Sequence, residues 1–128
     1  MANQSHLDLL KQGTFTWNMW RREHLHIQPD LSGADLSGAD LRGGDLRGTD
    51  LEGVGVDLHD ANLQGSNLKG ASLSRADLRD ARLNEADLSG ADLSNADFSQ
   101  ASLRGAVLKG AILINTNFAE ADLTDTTT

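Results

Sequence analysis

The chain has no cysteine, no tyrosine and a single proline among its 128 residues. Without cysteine, neither a disulfide framework nor thiol chemistry is available. Basic residues are also few, since 11 Lys and Arg stand against 19 Asp and Glu, which gives a formal net charge of −8. That charge argues against non-specific nucleic-acid binding, which requires a cationic surface. It is compatible with a basic partner.

Long apolar runs are missing as well. No stretch reaches the roughly 18 apolar residues that a membrane-spanning helix needs. The start, MANQSHLDLLKQG, has neither the basic n-region nor the apolar h-region of a signal peptide. We therefore expect a single-domain cytoplasmic protein that makes no membrane contact.

What the sequence does contain is a five-residue repeat. Leucines stand five residues apart from Leu31 to Leu51, and after a two-residue slip the period resumes at Leu58 and continues to Leu123. Of 19 repeats, 17 are centred on leucine and two on phenylalanine, and the residue two places before the centre is alanine in 13. A period of five fits neither the 3.6-residue period of a helix nor the alternation of a strand. Each unit must therefore turn a corner, with its central residue and the small residue two places earlier pointing inwards.

The last position of each unit is expected to form the turn. Glycine occupies it in ten units, and glycine supplies the positive φ of a type II turn without a steric penalty. Units with Arg75, Asp80, Glu85 or Gln100 there are expected to turn differently. We interpret the slip, Val54-Gly55-Val56-Asp57, as a two-residue bulge at one corner.

The unit A-D/N-L-x-x resembles the pentapeptide-repeat family over about residues 30 to 125. The preceding LLKQGTFTWNMWRREH is similar to a lead segment found before such repeats in bacterial, notably cyanobacterial, proteins. The resemblance implies an all-β fold, a right-handed four-sided β-helix with four units per coil, and a short α-helical N-terminal cap. We assign residues 1–28 to the cap, 29–125 to the β-helix and 126–128 to a tail. The resemblance also implies a link to DNA gyrase, because some family members protect or inhibit that enzyme.

The N-terminal segment is expected to form two short helices that cover the first coil. Ser5 is expected to cap the first helix and Gly13 to end it, while Thr14 is expected to cap a second helix that runs to about His24. The segment holds both tryptophans, and the first coil of a solenoid has no preceding neighbour to bury its leucines. The alternative is an aromatic box that binds a ligand.

In a four-sided register the outward charges sort into columns, and one face becomes strongly acidic. On it we select Asp57, Asp77 and Asp97 as candidate partner-binding residues. Three interpretations stay open: the carboxylates imitate DNA phosphates, hold Ca²⁺, or accept hydrogen bonds from the local backbone on a solvated face. The charged residues of this face are Asp35, Asp57, Asp60, Asp77, Asp80, Asp97, Glu120 and Arg79.

Apolar residues replace polar ones in the outward positions of the last repeats. Val107, Ile112 and Ile114 stand there, next to an end coil whose apolar centres and backbone groups we expect to be uncovered. The end-coil centres are Leu108, Leu113, Phe118 and Leu123. We predict a homodimer through the C-terminal ends, with Val107, Ile112, Ile114 and Phe118 at the interface. Fraying of the end is the alternative.

No motif in the sequence predicts catalysis or a cofactor. The pair His24 and His26 is too short a pattern for a metal site, and no glycine loop ends in the Lys-Ser/Thr of a phosphate-binding motif. We expect a non-enzyme without metal or cofactor: a structural, protein-interaction scaffold that presents the acidic face and an uncapped C-terminal end to a protein partner and contacts no nucleic acid directly. The alternative function is a DNA-mimicking regulator of DNA gyrase or another topoisomerase.

Overall fold

The computed structural model describes residues 1–53 and 56–128 as two helices followed by a rod of stacked coils. Helix α1 spans Gln4–Lys11 and helix α2 spans Thr14–Glu23. In the described part of the rod, the residue before each central Leu or Phe makes single parallel bridges to the neighbouring coils instead of belonging to a longer strand. Neither helix in the described ranges is long enough and apolar enough to cross a bilayer.

Each coil of the rod contains four five-residue units. Parallel bridges join residues 20 apart, as in Asp57 to Asp77, and residues 22 apart where the pair spans the slip, as in Asp35 to Asp57. The bridges form four columns, which are the four faces of the rod and begin at Asp30, Asp35, Asp40 and Asp45. Within the predicted bulge, Val54 and Gly55 lie outside the described residues.

Repeating backbone hydrogen bonds join each coil to the next. The N–H of Leu63 donates to the carbonyl of Arg82 (2.7 Å), and the N–H of Asn62 donates back to Ala39 (2.9 Å). Each unit also closes its own turn, as where Ser66 N–H donates to Leu63 C=O (3.0 Å). Every coil is thus stabilised mainly by its two neighbours, as in other solenoids.

The turns of the non-glycine units do not differ from those of the glycine units, so that prediction is wrong. Arg75 and Gln100 have φ values of 65° and 60°, against 65° for Gly70. Asp80 and Glu85, at 59° and 60°, behave in the same way. With the turn bond in place, a positive φ at the third residue matches a type II turn. The bonds to both neighbouring coils impose this geometry on whichever residue is present.

Leucine and alanine fill the interior of the rod. The central residues from Leu31 to Leu108 are all buried, and Phe98 stacks on Phe118 with ring centroids 5.4 Å apart. Fully burying one leucine side chain contributes about 2 kcal/mol. A long column of such residues therefore forms the core that stabilises the described part of the rod.

The predicted helical cap is confirmed, but its two helices begin differently from the prediction. Asn3 caps α1 in place of Ser5, because its side-chain oxygen accepts the His6 N–H at 3.2 Å. Gly13, with φ of 108°, follows the end of α1 and is itself the N-cap of α2, so Thr14 is the first helical residue.

Side chains of the cap make the hydrogen bonds to the first coil that a preceding coil would otherwise make. Trp17 Nε1 donates to Asp45 C=O (2.7 Å), and Asn18 Oδ1 accepts the Asp45 N–H (2.7 Å). Arg21 Nη2 donates to the carbonyl of Arg47 (2.7 Å). Trp17 is fully buried, so the cap covers apolar side chains and satisfies open backbone groups at once.

The last described coil is partly uncovered. Leu113 and Leu123 are 38% and 40% exposed, whereas Leu108, expected in the same open ring, is buried. The reason is that Thr127 adds to the coil: it bridges Val107, and its carbonyl accepts the Leu108 N–H at 2.6 Å. Thr127, assigned above to a tail, is thus exposed but joined to the rod by backbone hydrogen bonds.

Candidate functional site

The face that begins at Asp35, called the acidic face below, brings the three candidate residues into one line. Asp57, Asp77 and Asp97 are consecutive bridge partners, so they follow the strand spacing of about 4.8 Å. All three side chains are half-buried. The four-sided register therefore places them together as a ladder of carboxylates.

Each of these carboxylates also holds its own turn. The Oδ1 atom accepts the backbone N–H two residues later, in the pairs Asp57–His59 (2.9 Å), Asp77–Arg79 (3.1 Å) and Asp97–Ser99 (2.9 Å). The same bond recurs on the other faces, and Asn62 and Asn67 make it as well. The amide oxygen of asparagine is thus a sufficient acceptor at this position. The turn needs the oxygen and does not need the charge.

The charge of the acidic face is poorly compensated. Its seven carboxylates face one arginine, and among the described residues that arginine, Arg79, pairs with Asp77 at 2.7 Å. Hydrogen bonds from Arg79 hold the pKa of Asp77 below its ordinary value, against the opposing effect of partial burial. Asp77 therefore stays ionised at neutral pH.

The other faces carry more closely balanced charge. On the opposite face Arg47 pairs with Asp45 at 2.7 Å, and Lys69 lies 3.8 Å from Asp87 in the next coil. On the face that begins at Asp40, hydrogen bonds from Arg42 lower the pKa of Asp40 to about 2. Exposed pairs of this kind contribute little to stability, but they leave the acidic face as the most negative side of the rod.

His59, Asp60 and Asp80 also converge on the acidic face, although the sequence analysis did not group them. His59 Nε2 lies 3.3 Å from Asp60 Oδ2 and 4.0 Å from Asp80 Oδ2. Asp80 follows Asp60 by 20 residues, which is one coil. The coil period is therefore the signal that would have found the cluster. The sequence predicts no metal site, but in the described part of the chain these three side chains offer ligand atoms that lie close together.

A crevice also lies between the cap and the first coil. Leu10, Phe15, Leu36 and Leu41 give it an apolar lining. Its titratable side chains are Lys11 and Asp40, and Asp40 is already paired with Arg42. The crevice is thus an apolar groove with few charged side chains.

A rod of four-sided coils with a leucine interior and a terminal cap defines a solenoid repeat protein. The family profile described as Pentapeptide repeats matches the sequence in 8 copies, over residues 27–54, 57–95 and 91–127. The chain belongs to the pentapeptide-repeat family, and its fold is the right-handed four-sided β-helix of that family. The resemblance that the repeat suggested is confirmed.

Solved structures of similar proteins agree with this assignment. Rfr23, a pentapeptide repeat protein from the cyanobacterium Cyanothece 51142, is 35% identical with a TM-score of 0.69, over 73% of this chain and 63% of that one. The protein alr5209 from Nostoc PCC 7120 is 32% identical with a TM-score of 0.54, over 85% and 72%. QnrB1, a plasmid-mediated fluoroquinolone resistance protein, is 26% identical with a TM-score of 0.50, over 76% and 52%. This chain thus spans less than two thirds of the length of Rfr23. Comparison with curated proteins gave no match.

Proposed function

We propose that this chain is a non-catalytic interaction scaffold whose acidic face binds a basic surface on another protein. The observation that carries the proposal is the ladder of Asp57, Asp77 and Asp97, set at strand spacing on the most negative face of a rigid rod. Each carboxylate is oriented by its bond to the backbone. A pre-oriented group loses less side-chain entropy on binding than a free one.

A protein partner fits this face better than a nucleic acid does. Seven carboxylates against one arginine would repel a phosphate backbone and attract lysine and arginine side chains. Such attraction accelerates association and is weakened by salt, because the charges are exposed to solvent.

Asparagine substitution tests the acidic face without disturbing the turns. Asp57→Asn, Asp77→Asn and Asp97→Asn together remove three charges and keep the oxygen that accepts the backbone N–H, as Asn62 and Asn67 do. We expect a partner isolated with the wild-type protein to lose at least tenfold in affinity for this variant.

The matched control removes the same charge from another face. Asp50→Asn, Glu52→Gln and Asp92→Asn all lie on the face that begins at Asp30. This control should keep wild-type affinity. If both variants bind equally well, or lose affinity equally, the acidic face is not the binding surface.

A regulator of DNA gyrase that imitates DNA is the second candidate function. The likeness to QnrB1, at 26% identity, and the regular carboxylate ladder favour this candidate. A supercoiling assay with gyrase, with and without a quinolone, tests it: the wild-type protein should alter the reaction, and the triple asparagine variant should not. No effect of wild-type protein at micromolar concentration removes this candidate.

Self-association through the last described coil is a further part of the proposal. Ile112 and Ile114, 45% and 65% exposed, belong to the same end coil as the half-buried Phe118, and the half-buried Val107 lies on another face near that end. Burying these apolar side chains against a second copy is favourable. Light scattering at tens of micromolar should give twice 13.7 kDa. Ile112→Asp with Ile114→Asp should give a monomer, while Leu25→Asp, an equally exposed site on the cap, should not. A wild-type monomer contradicts the prediction.

A further inference from the structure

We infer that His59, Asp60 and Asp80 bind a divalent transition-metal ion, with Zn²⁺ as the representative of the class. The inferred site lies on the acidic face and shares that face with the proposed function, but it uses none of the three ladder carboxylates, so different variants test the two proposals.

The distances in the cluster match those between the ligands of one metal ion. Bonds of about 2.0 Å in tetrahedral geometry separate ligand atoms by about 3.3 Å. His59 Nε2 and Asp60 Oδ2 are 3.3 Å apart, and the ligand atoms of all three residues lie within 4.8 Å of one another. Asp80 Oδ2, at 4.0 Å from the imidazole, needs only a small side-chain rotation to complete the set.

The backbone beneath the cluster is fixed by bonds between and within coils. The N–H of Asp60 donates to the carbonyl of Arg79 at 3.0 Å, which holds the turns of Asp60 and Asp80 one above the other. The N–H of His59 is held by Asp57 Oδ1 at 2.9 Å. Only side-chain torsions remain to be adjusted when an ion binds, which lowers the entropic cost of binding.

The carboxylates of Asp60 and Asp80 are available to bind a metal ion. In the described ranges, His59 is the one basic side chain within ion-pair distance of Asp60 and Asp80, and no lysine or arginine lies that close to either. They occupy the last position of their units, and among the described residues the bond to the turn is made by Asp57 and Asp77 instead. A bound cation would also offset the repulsion between like charges on this face.

The ligand atoms of the three side chains determine which class of metal ion fits the site. An imidazole suits zinc, copper and nickel, whereas Ca²⁺ takes six to eight oxygen ligands. The three side chains are 40–59% exposed, which leaves room for water in the remaining coordination positions. Three protein ligands with an open position is an arrangement that zinc accepts.

Calorimetric titration with ZnCl₂ tests the site. The wild-type protein should show a saturable site that weakens at least tenfold in His59→Asn and in Asp80→Asn. Glu120→Gln is the matched control: Glu120 lies on the same face, in the same turn position with φ of 58°, and its loss should leave zinc affinity within twofold. CaCl₂ should produce no heat that depends on His59.

The same samples also show directly whether His59 is a ligand of the bound ion. Zinc should shift the imidazole nitrogen resonances of His59 in NMR spectra, and it should raise the melting temperature of the wild-type protein more than that of His59→Asn. If zinc binds His59→Asn as strongly as it binds wild type, the ion is held elsewhere, as at His24 and His26, and the inference is overturned. Equal weakening in Glu120→Gln, or an absence of saturable binding at millimolar zinc, would also overturn it.

Discussion

The φ angle of the last residue in each unit is set by the coil rather than by the identity of that residue. Gln100 has φ of 60° and Gly70 has φ of 65°, although an L-residue in this region carries a strain of about 1–2 kcal/mol. A Cβ atom added to Gly70 would meet nothing within 4 Å. The difference between the two residues is therefore backbone strain and not a clash.

Exchanging the two residue types should shift stability in opposite directions. Gln100→Gly should raise the free energy of unfolding by up to about 1 kcal/mol, because the relief of strain exceeds the extra entropy of glycine in the unfolded chain. Gly70→Ala should lower it by about 1 kcal/mol for the converse reason. Thermal unfolding followed by circular dichroism checks both. A Gly70→Ala protein that melts above wild type would contradict the account.

The cap is the element whose contribution to stability depends on pH. His6 Nδ1 accepts the Asp30 N–H at 3.0 Å, so that nitrogen must be unprotonated. Burial lowers the pKa of folded His6 below its ordinary value of 6.5, while Asp30 acts against this and Arg21 adds to it. The neutral ring is therefore favoured in the folded state. The resulting stabilisation is complete above pH 6.5 and is lost as the pH falls through the lower folded value.

Mild acid should consequently loosen the cap before it affects the rod. We expect the melting temperature to fall as the pH is lowered below 6.5, together with a change in the fluorescence of the two tryptophans, both of which lie in the cap. His6→Asn supplies an acceptor that does not titrate, and it should flatten this dependence. An identical pH profile in His6→Asn would show that another group is responsible.

At the scale of the whole molecule, the five-residue period predicted the inward side chains, and the family resemblance supplied four units per coil. Together they were enough to align Asp57, Asp77 and Asp97, because the column of a residue follows from its position in the repeat. The choice of Asn3 as the N-cap of α1 depends on a contact with the start of the rod, because the Asn3 N–H donates to the Asp30 carbonyl at 2.9 Å. Local capping preferences cannot predict that contact, because its two residues are far apart in the sequence.

The convergence of His59 with Asp80 was missed for a related reason. The two residues are 21 positions apart in the sequence, and each alone is an ordinary surface side chain. Only the stacking of one coil on the next brings their ligand atoms to 4.0 Å. The charge of a face can be summed from the register, whereas the meeting of particular side chains depends on their rotamers.

The central claim is that the ladder carboxylates act through their charge on a partner and not as supports of the turns. The most direct test is to measure the affinity of an isolated partner for wild type and for the Asp57→Asn, Asp77→Asn, Asp97→Asn variant, at low and at physiological salt, beside the melting temperature of each. We predict at least tenfold weaker binding by the variant, a smaller salt dependence, and a melting temperature within a few degrees of wild type. Unchanged affinity, or weaker binding accompanied by a large loss of thermal stability, would contradict the claim.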